Sequence, residues 1–312
     1  MAEFEYTAVI RTLGTAGAKY QQLLDSLQAQ SVVPKAIIVY IAEGYPLPKE
    51  TIGTERYVYV KKGMVAQRAL PYDEVQTEWM LFLDDDVYLP PKAVETLYIQ
   101  LRDKGADVIA PELFENAYRG RWTNLKMRLL GKSVAHKDDG IWAYKITRNG
   151  GYSYNACPTF PVYWSQTNAG PCFFCRKETF LSICFQNDLW LDEAPYALPE
   201  DQVMFYKMFR KGYGILTWYN SGILHLDAGC SRKECKERSR NVLFSEVRNR
   251  IIFWYLYIYS EDSSRYCRIL DVLSLSWFVI IRFVLMNIKF RFNYAKVWLD
   301  GVSDAVSFIK KR

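Results

Sequence analysis

The sequence predicts an α/β protein with a mostly parallel central sheet, followed by a helical, amphipathic C-terminal tail. Three observations carry this prediction. Strand and helix patterns alternate through the first 110 residues, which is typical of a parallel sheet covered by helices. An acidic run directly follows one apolar strand pattern. The region from residue 230 onward is basic, aromatic and periodic at helical spacing.

The composition excludes several classes of protein. The chain has 312 residues, of which 50% are hydrophobic and 24% are charged, so it is neither disordered, nor collagen-like, nor a multi-span membrane protein. Its length allows two domains, or one large domain with a tail. Aromatic residues make up 16% of the chain and serve either a large core or surfaces that stack on flat ligands and rest at membranes.

The net charge of +6 is unevenly distributed along the chain. Residues 1–229 carry 24 Lys and Arg against 26 Asp and Glu, whereas residues 230–312 carry 16 against 8. We therefore predict a main domain at residues 1–229, with halves at 1–110 and 111–229, and a separate basic region at residues 230–312. A basic, aromatic end favours a polyanionic partner, either an anionic membrane or nucleic acid.

The individual elements follow from apolar runs and helical spacing. Predicted strands are Tyr6 to Ile10, Ala36 to Ala42, Arg56 to Val60, Trp79 to Leu83, Ala106 to Ala110, Ile215 to Trp218 and Ile223 to Leu226. Predicted helices are Lys19 to Gln30, one opened by Pro90 and Pro91, a short one near Leu125 to Leu130, and Gln202 to Arg210. Residues 112–170 otherwise lack periodicity, which indicates a substrate-shaping insert or a mobile loop region.

The tail has one polar stripe. Between Ile269 and Lys296, most charged and polar residues fall within an arc of roughly 100° on a helix, and most of the remaining circumference is apolar. The longest stretch without a charge, Val272 to Ile281, is ten residues, short of the roughly 20 that a membrane span needs. The pattern leaves two interpretations open, a helix lying in the membrane interface and an ordinary helix pair docked on the main domain.

The cysteines and the first residues indicate a reducing compartment. Seven cysteines are scattered without a repeating frame, and the N-terminal residues Glu3 and Glu5 are acidic where a secretory signal would be basic. We expect a cytoplasmic protein without an export signal. A zinc site formed by Cys172 and Cys175 with Cys230 and Cys235 is a less favoured alternative, since the second pair is widely spaced and the first resembles a buried strand.

Asp84, Asp85 and Asp86 lie at the carboxyl end of a predicted buried strand, where open α/β sheets bind their ligands. Adjacent carboxylates repel one another unless a cation compensates them, and alternate residues point the same way, so Asp84 and Asp86 could share one Mg²⁺ or Mn²⁺ ion that also holds a diphosphate. The alternative is a solvated acidic turn that caps the next helix.

Two further candidates each have a structural alternative. Glu200 and Asp201 open a predicted helix, where they could act as a proton acceptor at a cleft or simply complement the helix dipole. His225 stands among apolar residues, so it could be a core histidine or a metal ligand.

The ordered set of these residues resembles family 2 of the glycosyltransferases. The resemblance covers residues 6–226 and rests on Arg11-Thr12 after a strand, Glu43-Gly44 after the next, Gly63 to Arg68, Leu83-Asp84-Asp85-Asp86, Asp192-Glu193, Glu200-Asp201 and His225. It implies the GT-A fold, a Rossmann-like sandwich, and an inverting transfer of a sugar from a nucleoside diphosphate, with UDP as the expected nucleotide, to an acceptor hydroxyl.

The resemblance also implies a role for each matching residue. Arg11, Thr12, Glu43, Arg68, Asp84 and Asp85 would bind the donor; Asp86 and His225 would hold Mn²⁺ or Mg²⁺; Asp201, beside Glu200, would be the catalytic base. Two motifs depart from the family pattern: Ala42-Glu43-Gly44-Tyr45 replaces Asp-Asp-Gly-Ser, and Gln67-Arg68-Ala69 replaces Ala-Arg-Asn. The processive Gln-x-x-Arg-Trp element is absent, and Arg248-Asn249-Arg250 leads instead into apolar residues, so we expect transfer of a single sugar.

The expected acceptor is a glycan or lipid-linked glycan, as in polysaccharide biosynthesis. Its candidate binding residues are Trp122, Tyr154, Trp164, Trp190, Asp192 and Glu193. The tail would attach the enzyme peripherally to the inner face of the membrane, and we expect no nucleic-acid partner. Two alternatives remain: a sugar nucleotidyltransferase, for which Leu13 to Gly17 only faintly matches the required Gly-rich basic loop, and a noncatalytic protein that binds nucleotide sugars or nucleic acid.

Overall fold

The computed structural model of the chain describes residues 4–114, 116, 120–226, 236–262 and 264–312. The predicted boundary between residues 229 and 230, and the cysteines Cys230 and Cys235, lie outside these ranges. The boundary therefore stays a prediction.

Strands alternate with helices through the first 111 residues, as the sequence predicts. The strands are β1 (Tyr6–Thr12), β2 (Ala36–Ala42), β3 (Glu55–Val60), β4 (Trp79–Asp84), β5 (Val87–Tyr88), β6 (Val108–Pro111), β7 (Val134–His136), β8 (Trp142–Ile146), β9 (Tyr152–Asn155), β10 (Val162–Ser165), β11 (Cys172–Arg176), β12 (Ile215–Trp218) and β13 (Leu224–His225).

The helices are α1 (Ala18–Gln28), α2 (Ala93–Asp103), α3 (Arg121–Leu129), α4 (Lys177–Ser182), α5 (Glu200–Arg210), α6 (Lys236–Trp254), α7 (Arg265–Ile288) and α8 (Phe292–Lys310). The structure divides the periodic stretch from Ile269 to Lys296 between two helices, α7 and α8, which the sequence pattern did not separate. A 3₁₀ segment covers Phe185–Glu193, and a π-helical segment, Tyr255–Tyr259, extends α6.

Within the described residues, eleven strands form one sheet in the order β3-β2-β1-β4-β11-β6-β12-β10-β8-β9-β7. The strands β3, β2, β1 and β4 are all parallel, while β11 runs antiparallel between β4 and β6. The short pair β13 and β5 lies apart from this sheet. The result is the mixed α/β architecture that the sequence predicts, with a mostly parallel core.

Each face of the sheet is covered by helices. On one face, the apolar sides of α1 and α2 pack on residues such as Ala8, Ile10 and Leu81. On the other, α5, α6 and parts of α7 and α8 pack on residues such as Val9, Phe82 and Phe173. Because helices cover both faces of the sheet, each central strand is an almost continuous apolar run. The sequence predicts β2 and β4 correctly for this reason.

The strand β11 tests the zinc alternative. Its residues alternate between the two faces, so Cys172 packs with the α1/α2 side and Cys175 with the opposite side. Two thiols on opposite faces of one strand cannot bind a common ion. The zinc pairing of Cys172 with Cys175 is therefore wrong.

The tail divides into three helices. The periodic stretch that the sequence joins from Ile269 to Lys296 is interrupted after Ile288, and α8 begins at Phe292. The helix α8 packs closely on α6 at Gly301, where a Cβ would lie 2.6 Å from Val247 Cγ1. By length and composition α7 is long and apolar enough to cross a membrane, and 17% of its most apolar window is buried.

The basic motif Arg248-Asn249-Arg250 is part of the interior. Arg248 donates to the Trp190 carbonyl and pairs with Glu193 and Asp304, and Arg250 donates to the carbonyls of Asn149 and Gly131. All three residues of the motif are buried in α6. They join the tail to the body of the protein.

Candidate functional site

The neighbouring strands β1 and β4 contribute the first residues of the site at the carboxyl edge of the sheet. Arg11 on β1 lies opposite Asp84 on β4 in the strand register. The Arg11 guanidinium forms a two-point ion pair with the Asp84 carboxylate, with Nη2 3.1 Å from Oδ2. Burial alone would raise the pKa of Asp84, but Arg11 and the nearby Arg68 hold it below its ordinary value. Asp84 is thus a fixed anion that orders both arginines.

Arg68 extends this network toward helix α5. Its side chain is 2% exposed, and Nη2 donates to the Gly170 carbonyl at 2.9 Å and to Asp84 Oδ1 at 3.4 Å. The other nitrogen, Nη1, lies 3.0 Å from Asp201 Oδ1. A buried guanidinium with all these partners is rigid, so it fixes the direction of the Asp201 carboxylate.

The turn that carries Arg68 is held by Asp192. The Asp192 carboxylate accepts hydrogen bonds from the backbone N–H groups of Val65 and Ala66, the latter at 2.8 Å. A Cβ at Gly63 would lie 2.3 Å from Asp192 Oδ2, so glycine is required there for the carboxylate to approach. Asp192 is therefore placed to position Arg68.

Glu200 and Asp201 occupy the first turn of α5 but have different surroundings. The Glu200 side chain is 6% exposed and its Oε1 lies 3.2 Å from Arg11 Nη1, whereas the Asp201 side chain is 24% exposed. Burial raises the pKa of Glu200 to about 7, and the adjacent Asp201 adds to this while both arginines oppose it. Of the two carboxylates, Asp201 is the one that an incoming molecule can reach.

Gly170 is a site residue that the sequence analysis missed. A Cβ built there would lie 1.8 Å from Asp201 Oδ1 and 2.7 Å from Arg68 Nη1. The backbone of the segment before β11 thus presses directly on the Arg68–Asp201 pair. No local pattern marks this glycine, because the contact joins three distant parts of the chain.

Thr12 and Asp85 form a second polar group beside the network of Arg11, Arg68 and Asp84. The Thr12 hydroxyl donates to Asp85 Oδ2 and accepts from the Gly14 N–H at 2.8 Å. Burial raises the pKa of Asp85 to about 6, with the neighbouring carboxylates Asp84 and Asp86 contributing. Glu43, at the end of β2, is exposed at the same edge of the sheet.

Asp86 and His225 are brought together by the strand pair β5 and β13. His225 is paired in register with Val87, and the Leu226 N–H donates to the Asp86 carbonyl at 2.8 Å. His225 Nε2 lies 3.0 Å from Asp86 Oδ1, a buried oxygen with no hydrogen-bond partner. Two facing donor atoms, one of them an unsatisfied buried carboxylate oxygen, fit a divalent cation.

Among the described residues, no group of three or more His, Cys, Asp or Glu side chains is arranged to hold a metal ion. A site with only Asp86 and His225 needs further oxygen ligands from elsewhere. Mg²⁺ and Mn²⁺ commonly take these from water and from the phosphates of a substrate. The pair therefore fits a cation that arrives with, or is completed by, a diphosphate.

A cleft of about 880 Å³ opens beside His225 in the described part of the chain. Its walls come from the segments after β6, β9 and β12. They include Glu112, Phe114, Asn116, Asn155, Tyr219, Ser221 and His225. A cleft that combines apolar and aromatic walls with polar side chains, next to a candidate cation site, is suited to a sugar. None of these wall residues except His225 was predicted.

The predicted acceptor residues lie elsewhere. Trp190 is 3% exposed in the core, Trp164 packs against the α1/α2 side of the sheet, and Tyr154 borders a cluster of buried tyrosines. Trp190 is corrected from a sugar-stacking candidate to a packing residue, because its ring is enclosed by protein. Trp164 and Tyr154 are partly buried, and their role stays a prediction. Trp122 lies on α3 and is 81% exposed, and Glu193 pairs with Arg248.

Glu112 gives the cleft a pH-dependent group. Its Oε2 accepts from the Tyr144 hydroxyl and its Oε1 is buried without a partner. Burial raises the pKa of Glu112 to about 7, which the Tyr144 hydrogen bond only partly offsets. The folded state therefore binds this proton more tightly than the unfolded state, whose ordinary value is near 4.5.

We predict that Glu112→Gln removes a pH-dependent destabilisation. A raised carboxyl pKa contributes stability below pH 4.5 that is lost as the pH rises through 7, and glutamine stays neutral throughout. Partial solvent access reduces the gain to about 1 to 2 kcal/mol at pH 8 relative to pH 5. Urea unfolding at both pH values measures it, with the exposed Glu178→Gln as control. An equal effect of Glu112→Gln at both pH values would contradict the assignment.

Comparison with known proteins supports the fold. No protein-family model and no curated protein sequence matches this chain. Among solved structures, S. aureus TarS 1–349 is similar, with a TM-score of 0.52 and 12% identity over 97% of this chain and 80% of that one. TarS 1–349 in complex with UDP-GlcNAc gives a TM-score of 0.50 at the same identity and coverage. Together with the sheet order, this likeness establishes a GT-A Rossmann-like fold for the chain.

Proposed function

We propose that the protein is a glycosyltransferase that moves a sugar from a nucleoside diphosphate donor to an acceptor hydroxyl with inversion, as in family 2. The observation that carries the proposal is the position of Asp201. It is a partly exposed carboxylate fixed by Arg68 at 3.0 Å, and the same Arg68 lies 3.4 Å from Asp84, the residue that precedes Asp85 and Asp86. The UDP-GlcNAc bound by TarS, which shares this fold, is a donor of the proposed kind.

The chemistry assigns different tasks to the two carboxylates of α5. Inverting transfer is a single displacement, so one base must remove the proton of the attacking hydroxyl while the diphosphate leaves from the opposite side. Asp201 is accessible and can accept that proton. Glu200 is buried against Arg11 and holds the arginine that orders Asp84.

The donor would be bound by the second polar group. Thr12, Glu43 and Asp85 lie at the strand ends where this fold class binds nucleotides, and they would contact the base and ribose. Arg11, Arg68 and Asp84 pair mainly with one another and with α5. Their contribution is to position this framework, and we do not assign them direct contacts with the nucleobase.

Asp86 and His225 would hold Mn²⁺ or Mg²⁺, since they are the facing donor atoms described above. When bound, the cation neutralises charge on the departing diphosphate. The cleft beside His225 would receive the transferred sugar and the acceptor, a glycan or lipid-linked glycan. We propose a cytoplasmic site of action and the transfer of one sugar per acceptor.

We predict that one nucleotide sugar of a panel stabilises the protein in the presence of Mn²⁺. Ligand at a hundredfold excess over Kd adds about 2.7 kcal/mol, which corresponds to a Tm increase of about 4 °C in a chain of this size. Slow hydrolysis of the same donor would accompany binding.

The variant Asp86→Ala separates the cation site from general binding. It is expected to lose the Mn²⁺-dependent part of the Tm increase, because only His225 remains at the site. The exposed Asp103→Ala on α2 serves as the matched control. Absence of stabilisation by every nucleotide sugar would refute the proposed function, and an unchanged Mn²⁺ response in Asp86→Ala would refute the cation assignment alone.

A further inference from the structure

The helix α7 presents an apolar face to the outside of the protein. Six apolar side chains on it are between 40% and 65% exposed: Ile269, Leu273, Trp277, Ile280, Val284 and Ile288. At 100° per residue they fall within an arc of about 100°. A helix on the surface of a soluble domain normally directs such a stripe toward the core.

The opposite side of α7 packs on the body through both charged and apolar side chains. Asp271 is 1% exposed and pairs with Arg148 at 2.8 Å. Arg282 pairs with Glu246 on α6 at 3.2 Å and lies over the Trp298 ring. The helix is therefore attached through two ion pairs and through the buried apolar side chains Leu275 and Phe278, and a second apolar stripe is left exposed on the other side.

These attachments fix how α7 lies. Asp271 and Arg282 are eleven residues apart, so the two ion pairs hold the helix at points about 16 Å apart along its axis. Between them, Trp277 Nε1 donates to the Leu129 carbonyl of α3 at 2.7 Å. A helix bound along its length to the body cannot cross a bilayer without bringing the body into it, so α7 is suited to lie in the plane of an interface.

The helix α3 continues the exposed apolar face. Its side chains Trp122, Leu125 and Leu129 are exposed, at 81% for Trp122, and none of its residues is buried. The turn between α7 and α8 extends the face at the other end, where Phe290 and Phe292 are 81% and 58% exposed. The apolar area is thus contiguous over three elements rather than scattered, which marks an interaction site.

The exposed charges on α3, on the residues that follow it and on the turn after α7 have one sign. Exposed basic residues flank the apolar face there: Arg121, Lys126, Arg128, Lys132, Lys289 and Arg291. Residues 120–134 contain no Asp or Glu, and in α7 and its following turn the one acidic residue is the buried Asp271. Exposed apolar side chains bordered by cations complement an anionic bilayer, whose headgroups attract Lys and Arg.

We propose that α3, α7 and the turn 289–291 form a lipid-facing surface on which the protein rests in the plane of an anionic membrane. The apolar side chains enter the boundary between headgroups and acyl chains, and the flanking basic residues contact the headgroups. This surface goes beyond the proposed transferase activity and does not rest on it. It resolves the two interpretations of the tail, since the helix is docked on the body and membrane-facing at once.

Sedimentation of the full chain with vesicles tests the proposal. Vesicles of phosphatidylcholine with about one third phosphatidylglycerol are expected to bind the protein at low salt. Leu273→Asp combined with Ile280→Asp should reduce the bound fraction at least about tenfold, because both side chains would have to leave the apolar layer. The control is Val33→Asp, a residue 57% exposed outside this surface.

The charges are tested separately. Lys126→Ala and Arg128→Ala should each weaken binding about fivefold at low salt and have little effect at about 0.5 M salt, where screening already weakens the attraction. Brominated acyl chains should quench part of the wild-type fluorescence, and this part should shrink in Trp277→Phe.

Three outcomes would overturn the proposal. The first is vesicle binding unchanged by Leu273→Asp with Ile280→Asp in a variant of unaltered Tm. The second is no binding by the wild type. The third is a wild-type dimer that the same double variant converts to monomer without any lipid binding, which would show that a second copy covers the face. Nucleotide-sugar stabilisation of the double variant is measured in parallel, so failure here is distinguishable from failure of the proposed function.

Discussion

Asp201→Asn is expected to abolish nearly all sugar transfer while leaving donor binding intact. General bases contribute about 10² to 10⁴ in rate, and asparagine cannot take the proton from the acceptor hydroxyl. The amide has the same shape, so it still fits against Gly170 and can still accept a hydrogen bond from Arg68. The measurement is the transfer rate at saturating donor, beside the Tm increase caused by the donor.

The control for this variant is Asp103→Asn, the same change on the exposed surface of α2. It should retain the wild-type rate. Glu200→Gln provides a comparison within the same helix turn. Because Glu200 is buried against Arg11, we expect its substitution to lower the free energy of unfolding together with the transfer rate. A transfer rate in Asp201→Asn within about threefold of wild type would remove this residue from the chemistry.

The part of the site at the end of β4 could be predicted because the apolar strand and the acidic run that follows it are adjacent in the sequence. An apolar run marks β4, and open α/β sheets bind ligands at the carboxyl ends of their strands, so Asp84 to Asp86 could be expected at the site. Arg11 was expected there through the family resemblance, and it lies opposite Asp84 in the strand register. His225 required a resemblance, because its contact with Asp86 depends on the two-residue strands β5 and β13.

The rest of the site depends on contacts that no local pattern records. Residues 112–170 contribute the strands β7 to β10, which are only three to five residues long and share no common pattern of apolar and polar side chains. Of these, β10 pairs with β12, the strand that directly precedes the cleft residue Tyr219. Such short strands are specified by their neighbours in the sheet more than by their own sequence.

The orientation of α7 has the same origin. The arc of polar residues was visible in the sequence, but which side would face the protein was not. Arg148 and Glu246 decide it, since they supply the partners for Asp271 and Arg282 from distant parts of the chain. A buried charge needs a partner, so these two ion pairs allow Asp271 and Arg282 to lie on the same inward side as the buried Leu275 and Phe278.

Gly170→Ala is expected to reduce transfer about a hundredfold with little loss of stability. The backbone at Gly170 is not in the left-handed region, so alanine causes no conformational strain there. The new Cβ would instead lie 1.8 Å from Asp201 Oδ1, and the carboxylate must move away. Because that atom is the end of a partly exposed side chain, it can move at a modest energetic cost, but a displacement of about 1 Å is enough to lower the rate by about 10².

The control is Gly105→Ala, which should affect stability and not the transfer rate. Gly105 has a φ of +61° and open space around its Cβ position, so alanine there strains the backbone without touching the site. It should lower the free energy of unfolding by about 1 kcal/mol and leave transfer unchanged. The comparison separates stability from positioning. If Gly170→Ala lost stability and kept its rate at saturating donor, the Arg68–Asp201 pair would be a structural ion pair and not the catalytic arrangement.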